Sequence, residues 1–340
     1  MAKIMNLEEI LETLKGIDPS RDILPVIEAG FVAYSKGRVV VPPVGELIFD
    51  DPPGETHIKY GYIRNDDHFA IKIASSFRGN AGRGLNACQG LILLLSQKTG
   101  EPVCILLDEG HLTQVRTAAA GAVVARHFAP RNIRRVGVFG AGTQARMQIE
   151  YLRYVRPVPE VIAWCQNQEE AASYRAHMEG LGFRTATTFD PEEVASTCNL
   201  IVTATPSHRP LLAAGQIRKG THITAMGSDT AEKQELDPEI LRLADRLVVD
   251  SLSQGRLRGE MFKALQAGAI AEAKPVELGT AIADPGLHRQ SDDEITVADL
   301  TGVAVQDIQI AKMVWEAAGR TAGGGGRNLG NGCCAPKRGV

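Results

Sequence analysis

Long apolar runs, an excess of either charge, paired cysteines and internal repeats are all missing from this 340-residue chain. No apolar stretch approaches the roughly 20 residues that a membrane helix needs, so no membrane partner is expected. Lysine and arginine number 37 against 40 aspartate and glutamate, a balance that gives no polyelectrolyte character and points away from nucleic acid. The six cysteines, at 88, 104, 165, 198, 333 and 334, have neither the spacing of a metal site nor that of a secreted disulfide framework. No metal is expected, and a reducing, cytoplasmic compartment is. The start "MAKIMNLEEILETLKGID" reads as an acidic amphipathic helix and not as a signal peptide.

What is present is ordinary globular material, 44% hydrophobic and 23% charged, in a length that makes about two domains. Helices are expected around residues 6–15 and 21–36, followed by the strand-like runs "RVVVPPVGELIF", "HIKYGYI", "FAIKIAS" and "PVCILLDEG". Broken by Pro and Gly, these suit an antiparallel sheet, with "DDPPGETH" as an exposed hairpin-like loop. Next comes "HLTQVRTAAAGAVVARHFAP", a slim Ala- and Gly-rich helix that Thr113 can cap and Pro130 ends. From residue 131 buried strands alternate with helices, which implies a doubly wound parallel sheet. The fold class is therefore α/β, a Rossmann-type sheet over 131–305 beside a mixed α+β domain over 1–130, to which a helix near 306–320 returns. Residues 321–340 are too Gly-rich to order themselves and are expected to be a flexible tail.

In "FAIKIAS", Phe69, Ile71 and Ile73 fall on one face and Ala70, Lys72 and Ala74 on the other. Lys72 is flanked by side chains too short to cover it, which suits either a solvated sheet face or a lysine looking into a pocket. In "VGVFGAGTQA", Gly140 and Gly142 with Ala145 in third place match the dinucleotide fingerprint after a strand and at the start of a helix. The glycines allow a tight turn and close approach of a pyrophosphate, which the free N–H groups of the helix then stabilise. The carboxylate expected at the end of the second strand is missing. "VIAWCQNQ" puts Gln166 and Asn167 there, so NAD and NADP both stay open as cofactors.

Arg116 is placed in the first turn of its helix, where a cation is unfavourable unless an anion is close. It suits either a substrate carboxylate or an acid at the domain interface. Asp229 and Lys233 follow the strand "THITAM" and precede a helix marked by Asp237 as cap and Pro238 at its first position. They lie at the carboxyl edge of the parallel sheet, where ligands bind in such folds, although a turn aspartate and a solvated lysine fit the same pattern. His111 and His208 also follow strands and are read as surface residues. Apolar runs such as "GLILLL" leave the first sheet with more hydrophobic surface than one chain can cover, so a two-fold homodimer is expected.

The pieces "FAIKIAS", "LTQVRTAAAGAVVARHFAP", "GVFGAGTQA", "VTATPS", "GSDTAEKQELD" and "SDDEITVADLTGVAVQD", in that order, resemble the ornithine cyclodeaminase/μ-crystallin family up to about residue 318. The resemblance implies that Lys72 faces the substrate, that Arg116 binds its carboxylate and that Asp229 is the acid or base beside the nicotinamide. Arg38 looks like the family's other substrate cation, and Lys233 pairs with Asp229. Gly140, Gly142, Thr143, Gln144, Ala145, Asn167, Thr205, Met226 and Gly227 would contact the nucleotide. One position departs. Where ornithine cyclodeaminases carry a substrate-facing glutamate this chain has Lys59, which would repel a cationic diamine.

The resulting expectation is an NAD(P)-dependent imine reductase or amino-acid dehydrogenase acting at the C–N bond of an α-imino or α-amino acid. Cyclodeamination of ornithine to proline is the alternative. A μ-crystallin-like ligand-binding protein is the non-enzymatic one.

Overall fold

The structure, a computed structural model, describes residues 2–322. The Gly-rich end from residue 323 onward, with Cys333 and Cys334, lies outside the described residues. A first sheet is built from β1 (Lys3–Met5), β2 (Val39–Val40), β3 (Gly45–Asp50), β4 (Pro53–Ile63), β5 (His68–Ser76), β6 (Cys88–Ser96) and β7 (Pro102–Leu106). The order is β1-β7-β6-β5-β4-β2, with β3 paired to β4. It is antiparallel except for β1, a short strand ahead of the first helix that lies parallel to β7.

Helices α1 (Leu7–Lys15) and α2 (Leu24–Ser35) precede β2. The first is closed by a capping box of Asn6 and Glu9. The run "RVVVPPVGELIF" is not one strand. It breaks at Pro42 and Pro43, which have no N–H for a ladder, into β2 and β3. The hairpin that follows turns at Asp51 and Pro52, and "GETH" already belongs to β4, whose Pro53 pairs with Asp50.

The eight-stranded second sheet is parallel throughout, in the order β10-β9-β8-β11-β13-β17-β15-β16. Its strands are β8 (Val136–Phe139), β9 (Val161–Trp164), β10 (Thr185–Thr188), β11 (Leu200–Thr203), β13 (His222–Ala225), β15 (Arg246–Val249), β16 (Val276–Glu277) and β17 (Thr296–Asp299). A two-stranded ribbon of β12 (His208–Leu212) and β14 (Gln234–Leu236) flanks it. The chain runs outward through β8, β9 and β10 and then returns to the other side of β8 with β11. That reversal creates the crevice in which doubly wound sheets bind ligands.

The helices from α3 on are α3 (His111–Phe128), α4 (Thr143–Leu152), α5 (Gln168–Gly180), α6 (Pro191–Thr197), α7 (Pro238–Leu243), α8 (Leu252–Gly255), α9 (Gly259–Gln266), α10 (Leu278–Ala283) and α11 (Ala304–Ala322). Thr113 does not cap α3. The helix begins two residues earlier behind Gly110, in a left-handed conformation (φ 80°), and the buried Asp108 carboxylate accepts the Leu112 amide at 2.8 Å. Arg116 is therefore in the second turn. Midway along α3, Gly121 lets the side chain of Gln148 from α4 come against its backbone, and that amide donates to the Thr117 carbonyl at 3.0 Å.

After β17 the chain leaves the parallel sheet, and α11 packs on β4, β5 and β6 of the first one, against α2 and α3. It covers the face carrying Ala70, Lys72, Ile92 and Leu94, all buried. The opposite face is the wetter one. Ile4, Tyr60 and Tyr62 there are 59%, 38% and 36% exposed, and Phe69, Ile71, Ile73, Leu91 and Leu93 are half-buried. Among the described residues no helix is long and apolar enough to cross a membrane.

Candidate active site

Period two on adjacent strands puts Lys59 and Lys72 directly opposite each other on β4 and β5, under α11. Like charges in that position repel, and here both are buried, at 7% and 2% exposure. The third cation is Arg116, also buried, from α3. One carboxylate meets two of the three. Asp307, in the first turn of α11, stands 3.2 Å from the Lys72 ammonium and 3.0 Å from Arg116 Nε, while Gln306 Oε1 accepts from the same guanidinium at 2.7 Å. Lys59 is held by dipoles instead, donating to the carbonyls of Thr301 at 3.0 Å and Gly302 at 2.7 Å.

Gly302 adopts φ 82°, and a Cβ there would stand 2.9 Å from Arg116 Nη1 and 3.1 Å from Lys59 Nζ. Glycine is needed both for the turn and for the room. The turn is fastened from behind by Asp250, which accepts from the Gly302 amide at 2.6 Å and from the Thr301 hydroxyl at 3.0 Å.

Three cations sharing so little negative charge have a measurable consequence. Burial, assisted by Arg116, lowers the Lys59 ammonium to about 8. Burial lowers Lys72 further, to about 7, against the pull of Asp307. Asp307 moves the opposite way: burial resists its ionisation, but Lys72 and Arg116 together hold it below the usual carboxylate range. The anion is well stabilised by its neighbours and the cations are not. The lysines are held only weakly in their charged form, and a further anion would hold them in it.

The cluster lies at the carboxyl edge of the parallel sheet, since residues 301–302 directly follow β17. Asp229 and Lys233 come from the loop after β13, joined at 2.7 Å. Desolvation works against Asp229, whose side chain is nevertheless 39% exposed, and Lys233 and, at longer range, Lys59 keep its carboxyl below the ordinary range. Lys233 also reaches Glu55 of β4 at 3.4 Å, so the loop is tied to the first sheet.

At the nucleotide fingerprint, Gly140 takes φ 112° and packs on Ala204 and Thr205. Gly142 is the N-cap of α4, with open space where a Cβ would stand. Ala145 is buried. This is a cradle that fits a pyrophosphate at a helix N-terminus. Gln144 reaches back to the Gln114 carbonyl at 3.1 Å, and Thr143 lines a cavity of about 670 Å³ with Ala141, Gly142 and Arg146. At the end of β9, Asn167 caps α5, accepting from Glu170. Thr205 and Gly227, at the ends of β11 and β13, are clamped by buried Glu235, which accepts from the Thr205 amide and hydroxyl and from the Gly227 amide at 2.6–2.8 Å. Met226 is buried beside Gly121.

Arg38 is the candidate that the fold does not bring in. It is exposed, and its carbonyl accepts the Arg64 amide. That places it five residues along β4 from Lys59, or about 16 Å at strand rise. Sequence reasoning missed Asp307, Gly302 and Asp250. The first two stand in "LTGVAVQD", a stretch that the family resemblance had singled out, but nothing local ties them to a lysine two hundred residues earlier.

Fold and site together define a two-part α/β protein in which a dinucleotide-type sheet faces a buried cluster of cations. The chain belongs to the ornithine cyclodeaminase/mu-crystallin family, whose model matches residues 3–322. It is 41% identical over 306 residues to a Sinorhizobium fredii protein named an uncharacterized cyclodeaminase, covering 89% of this chain and 92% of that one. To an alanine dehydrogenase of Archaeoglobus fulgidus it is 35% identical over 319 residues, covering 94% and 96%. Among solved structures it is similar to the Thermococcus litoralis Δ1-pyrroline-2-carboxylate reductase in complex with NADH and L-proline. There the TM-score is 0.86 at 26% identity, covering 96% of this chain and all of the other.

Proposed function

We propose that this chain is an NAD(P)-dependent oxidoreductase acting at the C–N bond of an α-imino or α-amino acid. The observation that carries the reading is the buried trio of Lys59, Lys72 and Arg116, placed where the parallel sheet presents its ligand edge. Arg116 and Lys72 bind the substrate carboxylate, the guanidinium offering a bidentate fork. Gly140, Gly142 and the start of α4 would hold the dinucleotide, and when bound the nicotinamide supplies or accepts the hydride. Asp229, kept ionised by Lys233, stabilises a protonated imine nitrogen or receives a proton from an amine. Lys72, lowered by burial to about 7 in the free site, is a second group able to exchange a proton. Glycine at 302 and the cover of α11 keep water from the cations.

Lys59 argues against ornithine, because a cationic side chain would meet a cation at that wall. Relatives stand on both sides: beside the cyclodeaminase-named Sinorhizobium protein, the chain is 32% identical to an iminosuccinate reductase of Paracoccus denitrificans and similar to the alanine dehydrogenase and the pyrroline-carboxylate reductase above. The half-buried apolar face of the first sheet supports a homodimer, as in the archaeal alanine dehydrogenase dimer with bound NAD, similar at TM-score 0.85 and 34% identity. The free cysteines among the described residues, three of the four buried, suit a cytoplasmic protein. The test is NADH or NADPH oxidation with pyruvate, glyoxylate, oxaloacetate or cyclic imines offered with ammonia or methylamine. Oxidation by none of them, with ornithine alone yielding proline and ammonia, would overturn the reading in favour of cyclodeamination.

A further inference from the structure

Glu46, Glu55 and His57 of the β3–β4 hairpin share the face of Lys59, and together with the loop of Asp229 they close a ring. Lys233 bridges Asp229 at 2.7 Å and Glu55 at 3.4 Å. The other oxygen of Glu55 stands 3.6 Å from His57 Nε2, and His57 Nδ1 stands 3.4 Å from Glu46. Glu46 pairs with Arg258 at 2.7 Å, and Arg258 donates to the main-chain carbonyl of Asp229 at 3.4 Å. Two ion pairs therefore cross from the first sheet to the nucleotide half. One acts on the side chain of Asp229 through Lys233, the other on its backbone through Arg258. Lys233 and Arg258 are each 13% exposed in their side chains, against 28% for Glu55 and 36% for Glu46, so the Glu55 pair is the better shielded of the two and the Glu46 pair is closer to an ordinary surface bridge.

We propose that Glu55 and Glu46 are positioning residues, which hold Asp229 in place across the cleft by gripping Lys233 and Arg258. The inference rests on the role given to Asp229 above and extends it to residues that touch neither substrate nor nucleotide. A carboxylate that must meet a reacting nitrogen loses rate steeply when it is misplaced by about 1 Å, and the loop after β13 has no regular secondary structure of its own over 227–233. The hairpin gives that loop a rigid backing. β4 is paired on both sides, to β3 and to β5, so Glu55 and His57 project from hydrogen-bonded strand and not from the turn.

The test uses the full-length protein and the oxo acid and amine identified by the NAD(P)H screen. Glu55→Gln should lower kcat by about tenfold with KM and NADH affinity nearly unchanged, speed amide hydrogen exchange over 227–233, and be largely restored by Glu55→Asp. In a Lys233→Met background, Glu55→Gln should add no further loss, because the two act through one contact. The Glu46→Gln variant, acting through Arg258, should lower kcat in either background. Wild-type kcat and exchange in Glu55→Gln, or full additivity with Lys233→Met, would overturn the proposal. If Asp229→Asn itself leaves kcat intact, it is the role of Asp229 that has failed and not the clasp, whose exchange signature would remain.

Discussion

Binding of a carboxylate at the cation cluster should take up protons, in an amount set by the burial of Lys59 and Lys72. Free, the two ammonium groups lie at about 8 and about 7. A charge-assisted hydrogen bond to a bound carboxylate is worth about 1.5–3 kcal/mol, which raises each lysine by about one to two units at ~1.4 kcal/mol per unit. Near pH 8 the free site holds Lys59 about half charged and Lys72 about one-tenth charged, and in the complex Lys59 is almost fully charged and Lys72 about half or more, so about one proton enters with the ligand. Around pH 6 both are already charged and uptake is close to zero. The sign follows from groups whose pKa is higher in the complex. Affinity is full below about pH 7 and falls as pH rises through the raised values, by about 10–100-fold per lysine. Titration calorimetry of the NAD-saturated protein with propionate, repeated in buffers of different ionisation enthalpy, measures the uptake directly. Lys72→Met should roughly halve it. Equal affinity near pH 6 and pH 9, with no buffer dependence near pH 8, would refute the electrostatic account of the cluster.

Asp307→Asn removes the carboxylate shared by Arg116 and Lys72 and should cost about 3–5 kcal/mol, the usual effect of breaking a buried pair, read as a lowered urea midpoint with unchanged m value. Asp229→Asn should lower kcat by about 10²–10⁴ while NADH binding, followed by fluorescence, stays near wild type. Parallel loss of both would make Asp229 structural. Gly302→Ala forces a Cβ between Lys59 and Arg116 at positive φ and should abolish carboxylate binding in the same calorimeter, at a stability cost of about 1–3 kcal/mol. Sedimentation at micromolar concentration should find the full chain dimeric. A monomer would mean that the half-buried face of Tyr60, Ile71 and Leu93 is covered in some other way.

The placement of Lys72 was legible because strand periodicity is strict: Ala70, Lys72 and Ala74 had to share a face, and small neighbours left that face free to receive a helix. The face proved the drier one, which periodicity alone does not decide. The nucleotide half was legible for a similar reason, since a strand running into Gly140 and Gly142 before a helix has few other uses. Thr113 was misread as a cap because it is a good capping residue, whereas Asp108, three positions before the helix starts, reaches the Leu112 amide through a Gly110 turn. Arg38 was misplaced because nearness in sequence to β4 says nothing of register, and β2 pairs with the far end of that strand. The ring of Glu46, Glu55 and His57 was invisible, since its partners are close only across the cleft.

Asp307 and the Gly302 turn come to the cations from 191 and 243 residues away in the chain. During synthesis, then, the first sheet emerges with Lys59 and Lys72 side by side and without Asp307 to answer their charge, and it stays so until α11 has left the ribosome. Because the same α11 that delivers Asp307 also roofs the sheet, the earlier part of the chain cannot dry that face without it. Completion of the core and completion of the anion site are one event, and a chain stopped before residue 304 should present a wet, mutually repelling pair of lysines instead of a receptor for carboxylates.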